Sequence, residues 1–361
     1  MTQVVFIGEA YGANEAVYRA PFVGSAGQEL FRLLHKTKFH PHSLNYFHIT
    51  PSTMDRMWAK TNIPLLNVFN AQPQENNIEL FYAGPRDKTP VDREFPVRRF
   101  GAKNKYVLAS LSDHIRKLHN DLDDLKPNLI VPLGATACWA IGLGSEIGKV
   151  RGFVHETKWG KALPTFHPAA VLYNWSLRVT VLLDLAKARR ESQFPGIRQV
   201  EREIWTEPTI PDLWHWWEVH GSKASRIAFD IETLKKRLIS EIAFASDPHH
   251  ALHIPFLLEN KSAPKPYTRF FSSADEVKAW EFVKHVLESP VPKIGQNCVQ
   301  YDTYWLVKDM NIKVQNIQDD TMTMAHCWQP ELGKSLYDLG AIFLDERSWK
   351  NIRRNVAKDN D

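Results

Sequence analysis

The sequence lacks the features that secreted and membrane proteins need. Its three cysteines, Cys138, Cys298 and Cys327, are widely separated and odd in number, so we expect neither a disulfide framework nor a CxxC metal site. No apolar run approaches the length of about 18 residues that crosses a membrane. The N-terminal segment MTQVVFIGEA has no basic leader and no cleavage site, and it is predicted to form a buried strand rather than a signal peptide. These absences favour a protein of the reducing cytoplasm.

Internal repeats and low-complexity tracts are also missing. The 361 residues suffice for two domains of ordinary size. Hydrophobic residues make up 43% and charged residues 24% of the chain, which predicts folded cores and excludes a disordered protein. The net charge of +4 is compatible with a polyanionic partner but does not specify one.

The first half alternates short apolar runs with helical patterns. This alternation is typical of βα units and predicts an α/β domain with a mainly parallel sheet. Strands are predicted at 4–8, 129–133 and 163–166, and helices at 28–34, 135–141 and 176–190.

The second half begins a new strand pattern after a linker. Residues 194–211 mix proline, charge and glycine, and the helix predicted at 212–220 carries three tryptophans that we expect to pack into the second domain. A base-stacking platform is the alternative for these tryptophans. Strands are predicted at 226–230, 241–246, 251–254 and 293–295, and helices at 274–287 and 303–308. The predicted division is a domain at 1–195, a linker with its connecting helix at 196–222, and a domain at 223–361.

A small, polar, glycine-rich turn follows the first predicted strand. It reads GEAYGANE at residues 8–15, and the segments APFVG at 20–24 and FHP at 166–168 accompany it. Ligands of open α/β sheets bind at the carboxyl ends of strands, and glycine lets the backbone approach a ligand closely. Taken alone, the turn also permits a nucleotide-binding module, although the G-x-G-x-x-G spacing is absent.

Two further segments extend this set, LNVFNAQPQEN at 66–76 and PLGATA at 132–137. In this order, and with HPA at 167–169, the segments resemble family 4 uracil-DNA glycosylases over about residues 1–190. The resemblance implies a three-layer α/β fold with a parallel sheet. It also implies excision of uracil from DNA by hydrolysis of the N-glycosidic bond.

The resemblance implies substrate-binding roles for four positions. Phe22 is expected to stack on the uracil ring, and Asn67 to bond the base edge through its amide, which offers both a donor and an acceptor. The backbone of Ala10 is expected to line the pocket, and Asn76 to contact the substrate. Such a pocket reads a nucleotide that has been extruded from the DNA.

Three catalytic residues are implied as well. Glu9 is expected to line the pocket and Glu15 to position or activate water. His167 is expected to stabilise the negative charge that develops on uracil O2.

The chain departs from the family pattern at several positions. Tyr11 stands where the family has proline, Ala20 replaces an arginine, and Ala169 replaces a serine. Ala71 occupies the position expected to be a cysteine, and one further cysteine, Cys138, cannot hold a cluster that needs four thiolates. We therefore expect no iron–sulfur cluster, as in viral relatives.

A pair of carboxylates marks the second half. In the segment IAFDIET at 227–233, Asp230 and Glu232 follow an apolar strand at i and i+2, so they point to the same face. Two acids on one face repel each other unless a cation lies between them, and hard divalent cations prefer such oxygen ligands. This arrangement suits two-metal phosphodiester cleavage.

Three later segments follow the pair, IGQNCVQYD at 294–302, DDTM at 319–322 and PELGKSLYDL at 330–339. With the D-x-E pair they resemble the DnaQ-like (DEDD) 3′→5′ exonucleases, especially the proofreading domains of bacterial and phage family A DNA polymerases. The resemblance implies a ribonuclease H-like mixed-sheet domain that acts on DNA.

The same resemblance assigns the metal ligands and the substrate contacts. Asp230, Glu232 and Asp302 are expected to bind two Mg²⁺ or Mn²⁺ ions, with Glu232 also positioning the attacking water. Asn297 is expected to steady the terminal nucleotide, with Asp320 in a supporting role near the substrate.

The last motif of that family, Tyr or His followed four residues later by Asp, is absent. Asp359 has Asn355 four residues before it. We therefore expect the chain to be the front part of a longer polymerase from a bacterium or a phage-infected cell, with DNA as its partner. The alternative is a catalytically degenerate DNA-binding accessory module of a replication polymerase.

Overall fold

The computed structural model describes residues 3–43, 49–97, 105–234, 238–259 and 267–347. The chain forms two compact units, which are described separately. The first comprises Met1–Gln199 together with the segment from Tyr337 onward, and the second comprises Val200–Leu336. No helix among the described residues is both long and apolar enough to span a membrane.

The first unit is built on a five-stranded sheet in the order β2-β1-β6-β8-β7, with a small antiparallel sheet in the order β3-β5-β4. Strand β1 is parallel to β2 and to β6, and β7 is antiparallel to β8. The strands are β1 Val4–Ala10, β2 Leu65–Phe69, β3 Tyr82–Ala83, β4 Val91–Val97, β5 Lys105–Leu108, β6 Leu129–Pro132, β7 His155–Thr157 and β8 Gly160–Ala162. The helices are α1 Ala13–Tyr18, α2 Ser25–Lys36, α3 Pro51–Ala59, α4 Ser112–Leu125, α5 Ala135–Ala140, α6 Pro168–Tyr173 and α7 Leu177–Glu191.

Alternation along β1 separates two cores. Phe6 points into a core shared with α2 and α7, whereas Val5 and Ile7 point into a second core shared with α4 and α5. Side chains of successive strand residues point to opposite faces, so both faces of the parallel sheet are covered by helices. The first unit is therefore a three-layer α/β domain, as predicted.

The second unit contains a six-stranded mixed sheet in the order β16-β15-β10-β11-β12-β9 and a two-stranded hairpin of β13 and β14. Its strands are β9 Glu203–Trp205, β10 Ile227–Leu234, β11 Leu238–Ala245, β12 His250–Pro255, β13 Leu257–Glu259, β14 Tyr267–Arg269, β15 Lys293–Gly295 and β16 Ile317–Asp320. Its helices are α8 Ile210–Val219, α9 Ser273–Glu288, α10 Asp302–Met310 and α11 Thr321–Trp328. Strand β11 is antiparallel to both β10 and β12, and β15 and β16 continue parallel to β10. The second unit is therefore a mixed-sheet α/β domain, as predicted.

The helix rich in tryptophan packs as the sequence predicts. Trp216 is fully buried in the core of the second unit. Trp214 remains 38% exposed and sets its ring edge-on against Phe282, with ring centroids 5.3 Å apart. Helix α8 is thus anchored by its aromatic side chains.

Two predicted elements are wrong in their positions. The strand predicted at 163–166 lies instead at Gly160–Ala162, followed by an isolated bridge between Leu133 and Thr165. Pro164 explains the difference, because proline has no N–H to donate to the ladder. The region predicted as a linker at 194–211 contains β9, which pairs with β12 in parallel; a three-residue strand is too short to show a period.

The last described helix, α12 Leu336–Phe343, belongs to the first unit from Tyr337 onward, whereas the sequence placed it in the second domain. The buried ammonium of Lys187 holds it by donating to the carbonyls of Gly152, Ala341 and Leu344. Gly152 has φ +74°, and a Cβ there would lie 3.0 Å from Ala341, so the helix approaches the backbone closely.

Candidate functional site

Three predicted substrate and catalytic residues of the first unit converge at the carboxyl ends of its parallel strands. Gly8 on β1 pairs with Asn67 on β2. A Cβ placed on Gly8 would lie 2.2 Å from Asn67 Oδ1 and 2.6 Å from Phe22 Cζ, so both side chains lie directly over this glycine. Phe22 is 3% and Asn67 6% exposed. Only glycine leaves room for both.

His167 completes this group (Phe22, Asn67 and His167), which we call the base pocket after the role that the sequence predicts. Its ring lies 6.2 Å from that of Phe22 between centroids, with an interplanar angle of 28°. Gly134, with φ +88°, follows β6, and a Cβ there would lie 3.1 Å from His167 Cβ. The ends of β1, β2 and β6 therefore all contribute to the base pocket.

Hydrogen bonding fixes the tautomer of His167. The side chain caps α6, since Nδ1 accepts a hydrogen bond from the backbone N–H of Ala169 at 3.2 Å. With Nδ1 acting as acceptor, the neutral ring carries its proton on Nε2. Burial lowers the pKa of His167, and the charge of Glu9 opposes this shift in part. The ring is thus a neutral donor at physiological pH.

The backbone of Phe22 is held in a strained conformation. Its φ is +57°, which is costly for a bulky residue and marks a constrained site. The indole N–H of Trp58 donates to the Phe22 carbonyl at 2.9 Å, and that carbonyl points at Gly27 in α2. Sequence reasoning missed Trp58 and Gly27, although a glycine inside a helix already suggests close packing.

Replacing Gly27 with alanine is expected to destabilise the first unit. The new Cβ would lie 1.7 Å from the Phe22 carbonyl oxygen, so α2 or the Phe22 loop must move. Overpacking of this kind costs about 1–3 kcal/mol. Thermal unfolding measures the loss. Gly148→Ala is the matched control because nothing lies within 4 Å of a Cβ there, and an unchanged or raised Tm for Gly27→Ala would contradict the assignment.

The remaining predicted residues of the first unit have different surroundings. Glu15 is buried, and its Oε1 accepts the backbone N–H of Gly24 at 2.8 Å, which ties α1 to the loop that carries Phe22. The Thr136 hydroxyl donates to Glu9 Oε1; the sequence did not single out Thr136. Ala10 is half-buried at the end of β1. The predicted substrate contact Asn76 is exposed, and its Oδ1 accepts from Gln72 at 3.2 Å.

In the second unit the predicted carboxylates gather at one stretch of β10. Asp230 and Glu232 are exposed on the same face, with Ile231 buried between them. Asp302, the first residue of α10, is 2% exposed, and its Oδ1 accepts the backbone N–H of Ile231 at 2.8 Å. All three acids therefore gather at residues 230–232 of β10. We call them the acidic triad.

The acidic triad concentrates carboxylates that repel one another. Burial, reinforced by the charges of Asp230 and Asp320, raises the pKa of Asp302 to about 7, although the Ile231 N–H opposes the shift. Although Asp230 is exposed as a residue, partial desolvation of its carboxylate and the charge of Glu232 raise its pKa. Among the described residues, no lysine, arginine or histidine forms an ion pair with the triad. Carboxylate oxygens gathered in this way fit a hard divalent cation.

The triad is nevertheless not a closed cage. Within the described part of the chain, one group of three acidic, histidine or cysteine residues brings all its ligand atoms within 4.8 Å of one another. That group is Glu203, His220 and His250, not the acidic triad. The triad carboxylates therefore have to turn toward one another to share a cation.

Asp320 positions the loop that follows β15. Its Oδ1 accepts the backbone N–H groups of Asn297 and Met322, both at 3.0 Å. Although burial opposes it, these backbone donors lower the pKa of Asp320, and its carboxylate is occupied by the backbone. Asn297 has φ +58°, a conformation that asparagine tolerates better than most residues. The last predicted motif positions, at 355 and 359, lie outside the described residues.

A further contact in this region escaped sequence reasoning. The Tyr301 hydroxyl and the Thr233 hydroxyl are 2.5 Å apart, so the residues next to Asp302 and Glu232 are joined across the site. The order of residues alone contains no signal for this bond, because it connects two distant parts of the chain.

Comparison with known proteins identifies the first unit. Residues 1–189 match the model of the uracil DNA glycosylase superfamily. A type-4 uracil-DNA glycosylase of Thermotoga maritima is 30% identical over 193 residues, which are 52% of this chain and 77% of that protein. A type-4 enzyme of Archaeoglobus fulgidus is 27% identical over 194 residues, which are 51% of this chain and 74% of that protein. The chain belongs to the uracil DNA glycosylase superfamily.

Solved structures of the EXD2 exonuclease domain also match the chain. One, soaked in Mg and dGMP, has a TM-score of 0.25 at 14% identity and covers 44% of this chain and 83% of that one. Another, soaked in Mn and GMP, has a TM-score of 0.26 at 16% identity and covers 41% and 73%. TM-scores this low do not establish any shared property.

Proposed function

We propose that the first unit excises uracil from DNA by hydrolysing the N-glycosidic bond. The observation that carries the proposal is that Phe22 and Asn67 meet over Gly8 and the His167 ring lies beside Phe22, in a chain of the uracil DNA glycosylase superfamily. An aromatic face, an amide and a neutral imidazole donor are the three groups that reading and releasing a pyrimidine require.

The base pocket acts on an extruded nucleotide. The face of Phe22 stacks on the uracil ring, and the Asn67 amide accepts from the ring N–H and donates to the adjacent carbonyl. Both side chains are held before substrate arrives, because Gly8, Trp58 and Gly27 fix their positions.

Bond cleavage places negative charge on the uracil base. The Nε2–H of His167 donates to O2 as this charge develops, which stabilises the transition state more than the bound substrate. Glu15 uses Oε1 for the Gly24 N–H, and its Oε2 orients the attacking water. Glu9, held by the Thr136 hydroxyl, lines the pocket beside Ala10.

A single-stranded oligonucleotide with one uracil tests this proposal. We expect the full-length protein to release free uracil in the presence of EDTA, because no group of the base pocket needs a cation, and to leave the matching thymine oligonucleotide intact. Asn67→Ala should lose most of the release. If the wild-type protein binds the oligonucleotide but releases no uracil, the protein is instead the accessory DNA-binding module.

For the second unit we propose metal-dependent 3′→5′ exonuclease activity of the proofreading type. The gathering of Asp230, Glu232 and the buried Asp302 at one stretch of β10, where burial and the neighbouring carboxylates raise the pKa of Asp230 and Asp302, is the observation that favours it. Two bound Mg²⁺ or Mn²⁺ ions would stabilise charge on the scissile phosphate. Glu232 orients the attacking water, and Asn297 steadies the terminal nucleotide on the loop that Asp320 holds. A role as the front part of a DNA polymerase stays a prediction.

A further inference from the structure

A second cluster of metal-binding side chains lies in the second unit, away from the acidic triad in sequence. Glu203 of β9, His220 at the end of α8 and His250 of β12 bring their ligand atoms within 4.8 Å of one another. Glu203 and His250 are directly paired between parallel strands, so their side chains lie on the same face of the sheet. Neither the acidic triad nor the base pocket uses any of them.

The imidazole of His250 is oriented for ligation. Its Nδ1 lies 2.9 and 3.0 Å from the two carboxylate oxygens of Asp247, so Nδ1–H donates to Asp247. The other nitrogen, Nε2, is left as the acceptor and faces Glu203 Oε2 at 3.9 Å. A carboxylate behind a ligating histidine is the usual outer partner that fixes its tautomer and raises its basicity.

Glu203 and His220 are oriented as well. The indole N–H of Trp205 donates to Glu203 Oε1 at 2.7 Å, which turns the other oxygen toward His250. The His220 ring stacks on the His250 ring with centroids 4.3 Å apart and an interplanar angle of 23°. Two imidazoles and one carboxylate, each on a different element, therefore converge from positions that other side chains fix.

We propose that Glu203, His220 and His250 bind one Zn²⁺ ion that fastens β9 and the end of α8 to the central sheet. Two nitrogen donors and one carboxylate oxygen favour zinc over magnesium or calcium, which prefer oxygen ligands. Zinc bonds of about 2.0–2.2 Å in a tetrahedron place ligand atoms about 3.4 Å apart, so rotation of the His220 ring out of its stack on His250 completes the site. The fourth position is left to water.

The ion would add a connection at the edge of the sheet. Strand β9 pairs with β12 over three residues only and is the edge strand of the sheet. A ligand that binds only the native state stabilises that state, and the gain grows with the logarithm of the ligand concentration divided by Kd. Zn²⁺ should therefore raise the unfolding temperature of the second unit.

The test begins with the full-length wild-type protein. We expect one Zn²⁺ per chain by elemental analysis after EDTA treatment, reloading and gel filtration. Replacement with Co²⁺ should give the visible absorption of a tetrahedral nitrogen and oxygen site, a readout that depends neither on catalysis nor on a variant. Wild-type protein that retains no Zn²⁺, or Co²⁺ protein with an octahedral spectrum, would overturn the proposal.

Variants then locate the ion. Asp247→Asn should weaken Zn²⁺ binding about 10–100-fold, as loss of an outer partner does, and His220→Ala or His250→Ala should weaken it further. His253→Ala is the matched control, because His253 lies on the same strand but pairs with Glu241.

Asp302→Asn should leave Zn²⁺ affinity unchanged. Loss of Zn²⁺ in Asp302→Asn but not in His250→Ala would place the ion at the acidic triad and refute the proposed zinc site. Circular dichroism shows whether each variant is folded.

Discussion

Replacing His167 with alanine is expected to slow uracil excision by about 10²–10³-fold, the usual effect of removing one donor to a developing oxyanion. The loss should fall on kcat rather than KM, because the Nε2–H bond to uracil O2 strengthens only as the glycosidic bond breaks. Single-turnover release of uracil from a single-stranded oligonucleotide measures it.

The asparagine variant separates catalysis from structure. His167 also caps α6 through Nδ1, and asparagine is among the best capping residues. If His167 serves only as a cap, His167→Asn restores the rate that His167→Ala loses; if it is the donor, His167→Asn remains slow. Full activity of either variant would remove His167 from the mechanism.

The pH profile supplies an independent check on His167. Burial lowers the pKa of this residue, so its neutral form persists below pH 6.5, the ordinary pKa of histidine. Protonation of Nδ1 would break the cap on α6, and activity should therefore fall only as the pH passes through this lowered value. We expect a constant excision rate from pH 8 to pH 6.5.

Replacing Asp230 with asparagine is expected to reduce Mg²⁺- or Mn²⁺-dependent shortening of a 5′-labelled single strand by about 10²–10⁴-fold. Metal ions contribute several kcal/mol of charge stabilisation to such reactions, and each 1.36 kcal/mol corresponds to a tenfold change in rate. The substitution removes one of the three carboxylates that bind the cations while it keeps the size of the side chain. Uracil excision should be unchanged.

Asp309→Asn is the control for this experiment, since Asp309 is an exposed aspartate on α10. Equal loss of both activities in Asp230→Asn would mean that the two units do not act independently. Degradation that proceeds in Asp230→Asn at the wild-type rate would instead exclude the acidic triad as the nuclease site.

The sequence predicts those parts of the fold that depend on local pattern. The runs at 4–8 and 129–133 are apolar enough to identify buried parallel strands, and the order of motifs brings Phe22, Asn67 and His167 together as the structure does. What escapes is set by contacts between distant residues. Trp58 holds a carbonyl 36 positions earlier in the chain, and nothing in its neighbourhood indicates that bond.

The proposed zinc site is a second example of residues that the sequence does not bring together. Glu203, His220 and His250 have no characteristic spacing, and β9 is too short to display alternation. Only the pairing of β9 with β12 reveals that Glu203 and His250 are neighbours. In contrast, Asp230 and Glu232 are predictable, because two positions along one strand are enough to set their geometry.

The return of the chain at Tyr337 has a consequence for biosynthesis. Residues 200–336 are an insertion within the base-excision unit, although every motif of that unit is translated before residue 200. Until α12 leaves the ribosome, the ammonium of Lys187 lacks two of its three carbonyl acceptors. A premature stop between the two points would therefore remove one helix of the unit and lower its stability while leaving its entire active-site sequence intact.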